Sequence, residues 1–183
     1  MKFDTIVGID IGRVHDHTVV VVLNRWCVTL VEQLPLNLEF KDIVDHLKQY
    51  IEHADCVMVD ASGVGSPIAE QLKHEHAEKV IGVQITGGES VRTGPYIWHV
   101  SKSVLANTLQ QAFERGKLKI RCPEPGLSVL RHELSAFDMK PGKRPKWGAK
   151  PGHHDDAVLA LALALLPRIV GTTLGIVHPC DEA

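Results

Sequence analysis

The chain has 183 residues, the length of one domain at roughly 100–200 residues each. Its composition, 44% hydrophobic and 23% charged, is that of an ordinary soluble globular protein, so a core can form without disulfides or a structural metal. Twenty Lys and Arg against 22 Asp and Glu leave a net charge of −2. That excludes a uniformly basic nucleic-acid binder, and the length leaves no room for a two-domain kinase, a complete motor ATPase or a multi-domain polymerase.

In chain order, Thr5–Ile11 is an apolar run interrupted only by Asp10, and it predicts a buried strand. Gly12–His17 separates it from Thr18–Leu23, a β-branched strand. Asn24, Arg25 and Trp26 then stand alone before a third strand, Cys27–Leu34, as in a hairpin. Across Phe40–His53, Phe40, Ile43, Val44, Leu47, Tyr50 and Ile51 recur at three- and four-residue spacing, which predicts an amphipathic helix. Cys56–Val59 is a short buried strand ending at Asp60. Gly63 and Gly65 mark a turn, and Ser66-Pro67 reads as the N-cap and first position of a helix to about Ala77.

Val80–Ile85 is another buried strand and Gly87–Tyr96 a loop. Val100–Arg115 reads as a helix stopped by Gly116. Leu127–Phe137 reads as helical, and Asp138–Gly152 as a Pro/Gly/Lys loop or hairpin. Asp156–Leu166 is an apolar helix closed by Pro167. Its ten-residue apolar run, Ala157–Leu166, is half of the about 20 residues a membrane span needs. Residues 1–167 are therefore expected to form one domain, and 168–183 a weakly patterned tail. Early antiparallel strands followed by βαβ units imply an α/β fold: a mixed central sheet, three antiparallel strands and then parallel ones, flanked by helices.

The four cysteines, Cys27, Cys56, Cys122 and Cys180, are widely spaced, with no C-x-x-C pair. Neither a zinc ribbon nor a disulfide framework is expected, and a reducing cytoplasmic setting is. Met1–Asp4 shows no signal-peptide pattern.

Three acidic positions stand where packing alone would not put them. Asp10 lies between Ile9 and Ile11, late in a buried strand, where an unpaired carboxylate costs several kcal/mol. Asp60 ends the strand Cys56–Val59. Asp155 and Asp156 open the apolar helix directly after His153-His154. Each has a plainer reading: a strand-end Asp forms turns, and Asp155 or Asp156 could cap a helix. If the first and fourth strands are neighbours, however, Asp10 and Asp60 lie side by side, and the last helix need only start beside them. Clustered carboxylates raise one another's pKa unless a cation neutralises them. Mg²⁺ or Mn²⁺ does this, and two such ions can activate a water against a phosphodiester.

These residues resemble a known family. Gly8-Ile9-Asp10-Ile11-Gly12, with Asp16-His17-Thr18 before a valine strand, is similar to the first motif of the nuclease domain of bacteriophage large terminase subunits. Val59-Asp60-Ala61-Ser62-Gly63-Val64-Gly65 is similar to the second motif, and Gly152-His153-His154-Asp155-Asp156-Ala157 to the third. The resemblance spans about residues 3–167. It implies an RNase H-like fold and a metal-dependent endonuclease acting on double-stranded DNA. It further implies Asp10, Asp60 and Asp156 as catalytic metal ligands for Mg²⁺ or Mn²⁺, with Asp155 an additional or alternative ligand and Asp16 an acidic position of undefined role.

The family also carries a basic segment before its last motif. Here Lys140, Lys143, Arg144, Lys146 and Lys150 stand against Asp138 alone, five basic to one acidic, a local +4. They are candidate DNA-phosphate contacts, although a solvated lysine hairpin has the same composition. Arg13, Arg92 and Lys102 are further candidates. The 183 residues hold no G-x-x-x-x-G-K-[ST] motif. The ATPase motor of a terminase, its small subunit and the portal are thus expected as separate partners, in the host cytoplasm and away from membranes. The alternatives are a Holliday-junction resolvase of the same fold, an actin-like phosphate-binding protein opened by the same GIDIG sequence, and a DNA-binding or docking module without chemistry.

Overall fold

A computed structural model describes residues 3–12, 16–63, 65–140 and 146–174. The strand β1 (Thr5–Asp10) runs antiparallel to β2 (Val19–Asn24), which pairs with β3 (Cys27–Gln33) through the tight turn at Arg25 and Trp26. The helix α1 (Phe40–Glu52) leads to β4 (Cys56–Asp60), which lies parallel to β1 on its other side. The helix α2 (Gly65–Glu75) leads to β5 (Val80–Thr86), parallel to β4. After β6 (Val91–Thr93) and β7 (Ile97–Ser101) come α3 (Lys102–Glu114), β8 (Lys119–Ile120) and α4 (Gly126–Ala136). The hairpin β9 (Phe137–Lys140) and β10 (Lys146–Ala149) precedes α5 (Asp156–Leu174). Among the described residues, eight strands form one mixed sheet in the order β6-β7-β5-β4-β1-β2-β3-β8.

The sheet separates two apolar layers, and strand alternation decides which residue enters which. In β1 and β4, Val7, Ile9, Val57 and Val59 pack with Val44, Leu47, Ile51, Ile68 and Leu72 of α1 and α2. Ile6, Cys56 and Met58 face the opposite layer, with Leu105 and Leu109 of α3, Leu130 of α4 and Ala157–Leu166 of α5. The helix α5 is buried on all sides over that run, as a helix without a polar face must be. No helix of the described residues is long and apolar enough to cross a membrane.

Several boundaries differ from the sequence expectation. The helix expected from Val100 starts at Lys102, because Trp98 and Val100 alternate into the core as a strand and Ser101 caps the helix by accepting from Val104 N at 3.4 Å. The expected loop 87–96 contains β6, held by its pairing to β7. The helix α2 begins at Gly65, so Ser66 and Pro67 lie in its first turn, where a missing N–H costs nothing. The helix α5 runs on through Pro167 to Leu174. Cys27 and Cys122 are free thiols, and Cys180 lies outside the described residues.

The strand β1 and the helix α5 approach each other closely at Gly8. A Cβ on Gly8 would fall on the carbonyl oxygen of Ala160 and 2.6 Å from the backbone nitrogen of Ala164. Only glycine lets the helix lie this near the strand. Gly8→Val should therefore lower stability by about 2–3 kcal/mol through overpacking. Gly87→Ala, where the added methyl meets nothing within 4 Å, should stay within about 0.5 kcal/mol of wild type. Urea denaturation of both checks this; equal losses would mean that α5 does not rest on Gly8.

Candidate metal centre

Two strands and one helix bring the acidic residues together. Ile9 pairs with Val59 in the parallel ladder, so the next residues, Asp10 and Asp60, end adjacent strands side by side. Both follow the alternation that puts Ile6 and Met58 on the α5 face. The helix α5, pressed onto Gly8, starts at Asp156 beside them. A Cβ on Gly12 would strike the backbone of Asp16 and His17, so glycine lets the chain fold back and bring Asp16 to the same place. Asp10, Gly12, Asp16, Asp60, Ser62 and Asp156 line one cavity of about 190 Å³.

This arrangement is electrostatically costly. Asp10 is buried, and its carboxyl is held well above the usual range, first by desolvation and then by the charges of Asp60, Asp156 and Asp155. Burial also raises Asp60, partly offset by Ser62, whose N–H donates to Oδ1 at 2.8 Å, and by the charge of Lys102. Burial and then Asp16 raise Asp156, against the opposing effect of His154. Asp156 Oδ2 lies out of solvent with no hydrogen-bond partner. A buried, orphaned carboxylate oxygen facing other carboxylates suits a hard divalent cation, so the donor set fits Mg²⁺ or Mn²⁺.

Residues 7–167 match the family model described as the terminase RNase H-like domain. The chain belongs to that family. Among solved structures, the large terminase nuclease of the thermophilic phage G20c with bound magnesium is 23% identical, with a TM-score of 0.70 over 90% of this chain and 81% of that one. The large terminase nuclease domain of Thermus phage P74-26 is 22% identical, with a TM-score of 0.63 over 90% and 80%. The nuclease domain of the large terminase subunit of bacterial virus Sf6 is 14% identical, with a TM-score of 0.61 over 88% and 87%. These three share its RNase H-like fold. No curated protein matches the chain.

In this terminase-family domain the remaining sequence candidates are placed differently. Asp155 is turned to Lys102, whose Nζ donates to its Oδ2 at 2.7 Å. Lys140 and Lys146 pair across the β9–β10 hairpin through their backbones, and Lys150 follows it, exposed. Lys143, Arg144 and Arg13 lie outside the described residues. Arg92 sits on β6, the sheet edge beyond β7. Gly148 of β10 lies against the Lys102–Asp155 pair, so the β9–β10 hairpin adjoins the acidic centre there.

One residue escaped the sequence reading. Glu133 of α4 is 3% exposed, and its Oε2 accepts from Ala157 N at 2.7 Å and Val158 N at 3.3 Å. It caps α5 from another helix and so fixes where Asp156 begins. The available signal was a charge on a buried helical stripe, with Leu130 and Ala136.

Burial pushes the Glu133 carboxyl up to about 7, against the two N–H groups that favour its charge. Its folded pKa thus exceeds the unfolded one, so its protonated form favours the fold at low pH and that contribution is lost as pH rises from 4.5 through about 7. In chelator, wild type should lose roughly 5 °C more in Tm between pH 5 and 7.5 than Glu133→Gln. Parallel melting curves for the two proteins would contradict this.

Proposed function

We propose that the chain is the nuclease domain of a viral large terminase: an endonuclease that hydrolyses phosphodiester bonds of double-stranded DNA with two divalent ions, Mg²⁺ or Mn²⁺. The observation that carries this reading is the convergence of Asp10, Asp60 and Asp156, from three separate elements, on one cavity with an orphaned buried oxygen. Bound there, such ions would lower the pKa of a water and stabilise the leaving oxygen of a phosphodiester. Asp10, Asp60 and Asp156 are the ligands. Asp155 keeps the Lys102 ammonium beside the carboxylates, or joins the ligand set once that pair opens.

The basic segment Lys140, Lys143, Arg144, Lys146 and Lys150 supplies the charge that the acidic centre lacks toward DNA. Gly148, in the same hairpin, is already against Lys102. A separate ATPase motor, a small terminase subunit and a portal complete the machine, in the host cytoplasm.

Purified protein should nick and linearise plasmid DNA with Mn²⁺ or Mg²⁺, and EDTA should stop it. Asp60→Asn should cost more than the roughly 10–100-fold typical of outer-shell groups. Unchanged cutting by Asp60→Asn would remove the carboxylates from the mechanism. A strong preference for four-way junctions over linear duplex would make the chain a resolvase instead.

Binding to catalytically dead protein should weaken with salt, with a log–log slope of about 0.9 per phosphate contacted. Neutralising Lys143, Arg144 and Lys150 together should flatten that slope by about 2–3. An unchanged slope would take the hairpin out of the DNA interface.

A further inference from the structure

The sheet face that α1 and α2 cover is left open beyond β5. Val80 packs into the layer under those helices, so Gly82 and Gln84, which follow it by alternation along β5, face the same way. Val83, Val91, Trp98 and Val100 turn to the opposite layer, against α3 and α5. Their neighbours His99 and Arg92 are thereby left on the α2 side, where no described residue of β6 or β7 joins the apolar layer. The register sets Gln84 beside His99 and His99 beside Arg92. Three polar side chains thus stand in one row across three strands.

Nothing in the fold uses this row. Among the described residues, none of the three side chains has a hydrogen-bond or ion-pair partner. Arg92 is exposed, and its charge makes no ion pair there. On the same side, Lys73 Nζ lies 4.6 Å from the centroid of the Tyr96 ring, and Tyr96 is 48% exposed. Two cations beside an exposed aromatic ring and two neutral hydrogen-bonding side chains suit a nucleic-acid backbone.

The position of the row relative to the carboxylates narrows this further. Asp60 pairs with Val83, so the row lies one residue beyond it, toward the strand ends where the carboxylates gather. At about 4.8 Å per strand, His99 and Arg92 stand about 10 and 14 Å across the sheet from Asp60. The major groove of B-DNA is about 12 Å wide. A phosphate of one strand at the carboxylate centre therefore brings the backbone of the other strand over β7 and β6.

We infer that Gln84, His99 and Arg92, with Lys73, hold the backbone of the uncut strand across the major groove from the carboxylate centre. The inference rests on the double-stranded DNA endonuclease reading and deepens it. A duplex engages both surfaces at once, whereas a single strand at the carboxylates leaves the row empty. The row is separate from the β9–β10 hairpin, which lies against Lys102 and Asp155 on the α3 and α5 side of the sheet.

The test measures binding of a duplex and of a single strand to the full chain carrying Asp60→Asn, by fluorescence anisotropy over a range of salt. Arg92→Ala should weaken duplex binding about tenfold at about 0.1 M salt and lower the log–log slope by about 0.9, one phosphate contact. Adding Lys73→Ala should lower the slope by about as much again. Arg92→Lys, which keeps the charge, should keep the slope. Single-strand affinity should stay within about twofold throughout, because that strand does not reach the row. If the chain without these substitutions cuts plasmid but Arg92→Ala leaves duplex affinity and slope unchanged, the row is not a DNA contact and the nuclease reading stands. Equal losses on duplex and single strand would overturn the assignment to the uncut strand. A wild-type chain that neither binds nor cuts DNA would overturn both readings.

Discussion

The centre depends on one steric fact: α5 can lie on β1 only because position 8 has no side chain. Gly8 meets Ala160 and Ala164 backbone to backbone. That contact fixes the height of α5 on the sheet, and with it the place where Asp156 begins. The parallel ladder then sets Asp60 beside Asp10. Alternation along β1 and β4 turns both carboxylates to the face the helix covers. Packing and catalytic geometry are thus the same constraint.

The electrostatics oppose that packing. Desolvation raises Asp10, Asp60, Asp156 and Glu133 alike, and the charges of neighbouring carboxylates, Asp16 and Asp155 included, add to it at Asp10, Asp156 and Glu133. A fold optimised for stability would not gather four carboxylates at one sheet end. The apolar layers on both faces hold them there, and a cation is the group that would relieve the strain. Glu133 carries part of this burden without facing the cavity, since it caps the helix that presents Asp156.

Much of the fold was legible because its signals are local. The alternation of β1, the three- and four-residue spacing of α1 and the uninterrupted apolar run of α5 each name their element. The misses are non-local. The strand β6 is three residues long and exists through its pairing with β7, and β8 is two residues held against β3. β7 itself, Ile-Trp-His-Val-Ser, merged in sequence with the helix that follows it. At the centre, Asp10, Asp60 and Asp156 stood out as charges in apolar surroundings. That Asp155 would turn to Lys102, 53 residues away in sequence, and that Glu133 would cap a helix 24 residues later, are facts of tertiary packing that no spacing announces.

The near-neutral charge of the chain likewise conceals a division. The acidic cavity has the β9–β10 hairpin as a neighbour through Gly148, Lys102 and Asp155, and in sequence 138–150 carries a net +4. The most direct measurement is an anomalous difference map from crystals grown in Mn²⁺. Peaks are expected at bonding distance, about 2.2 Å, from the carboxylates of Asp10, Asp60 and Asp156, with α5 still seated on Gly8. Saturating Mn²⁺ with no peak among those three residues would contradict it.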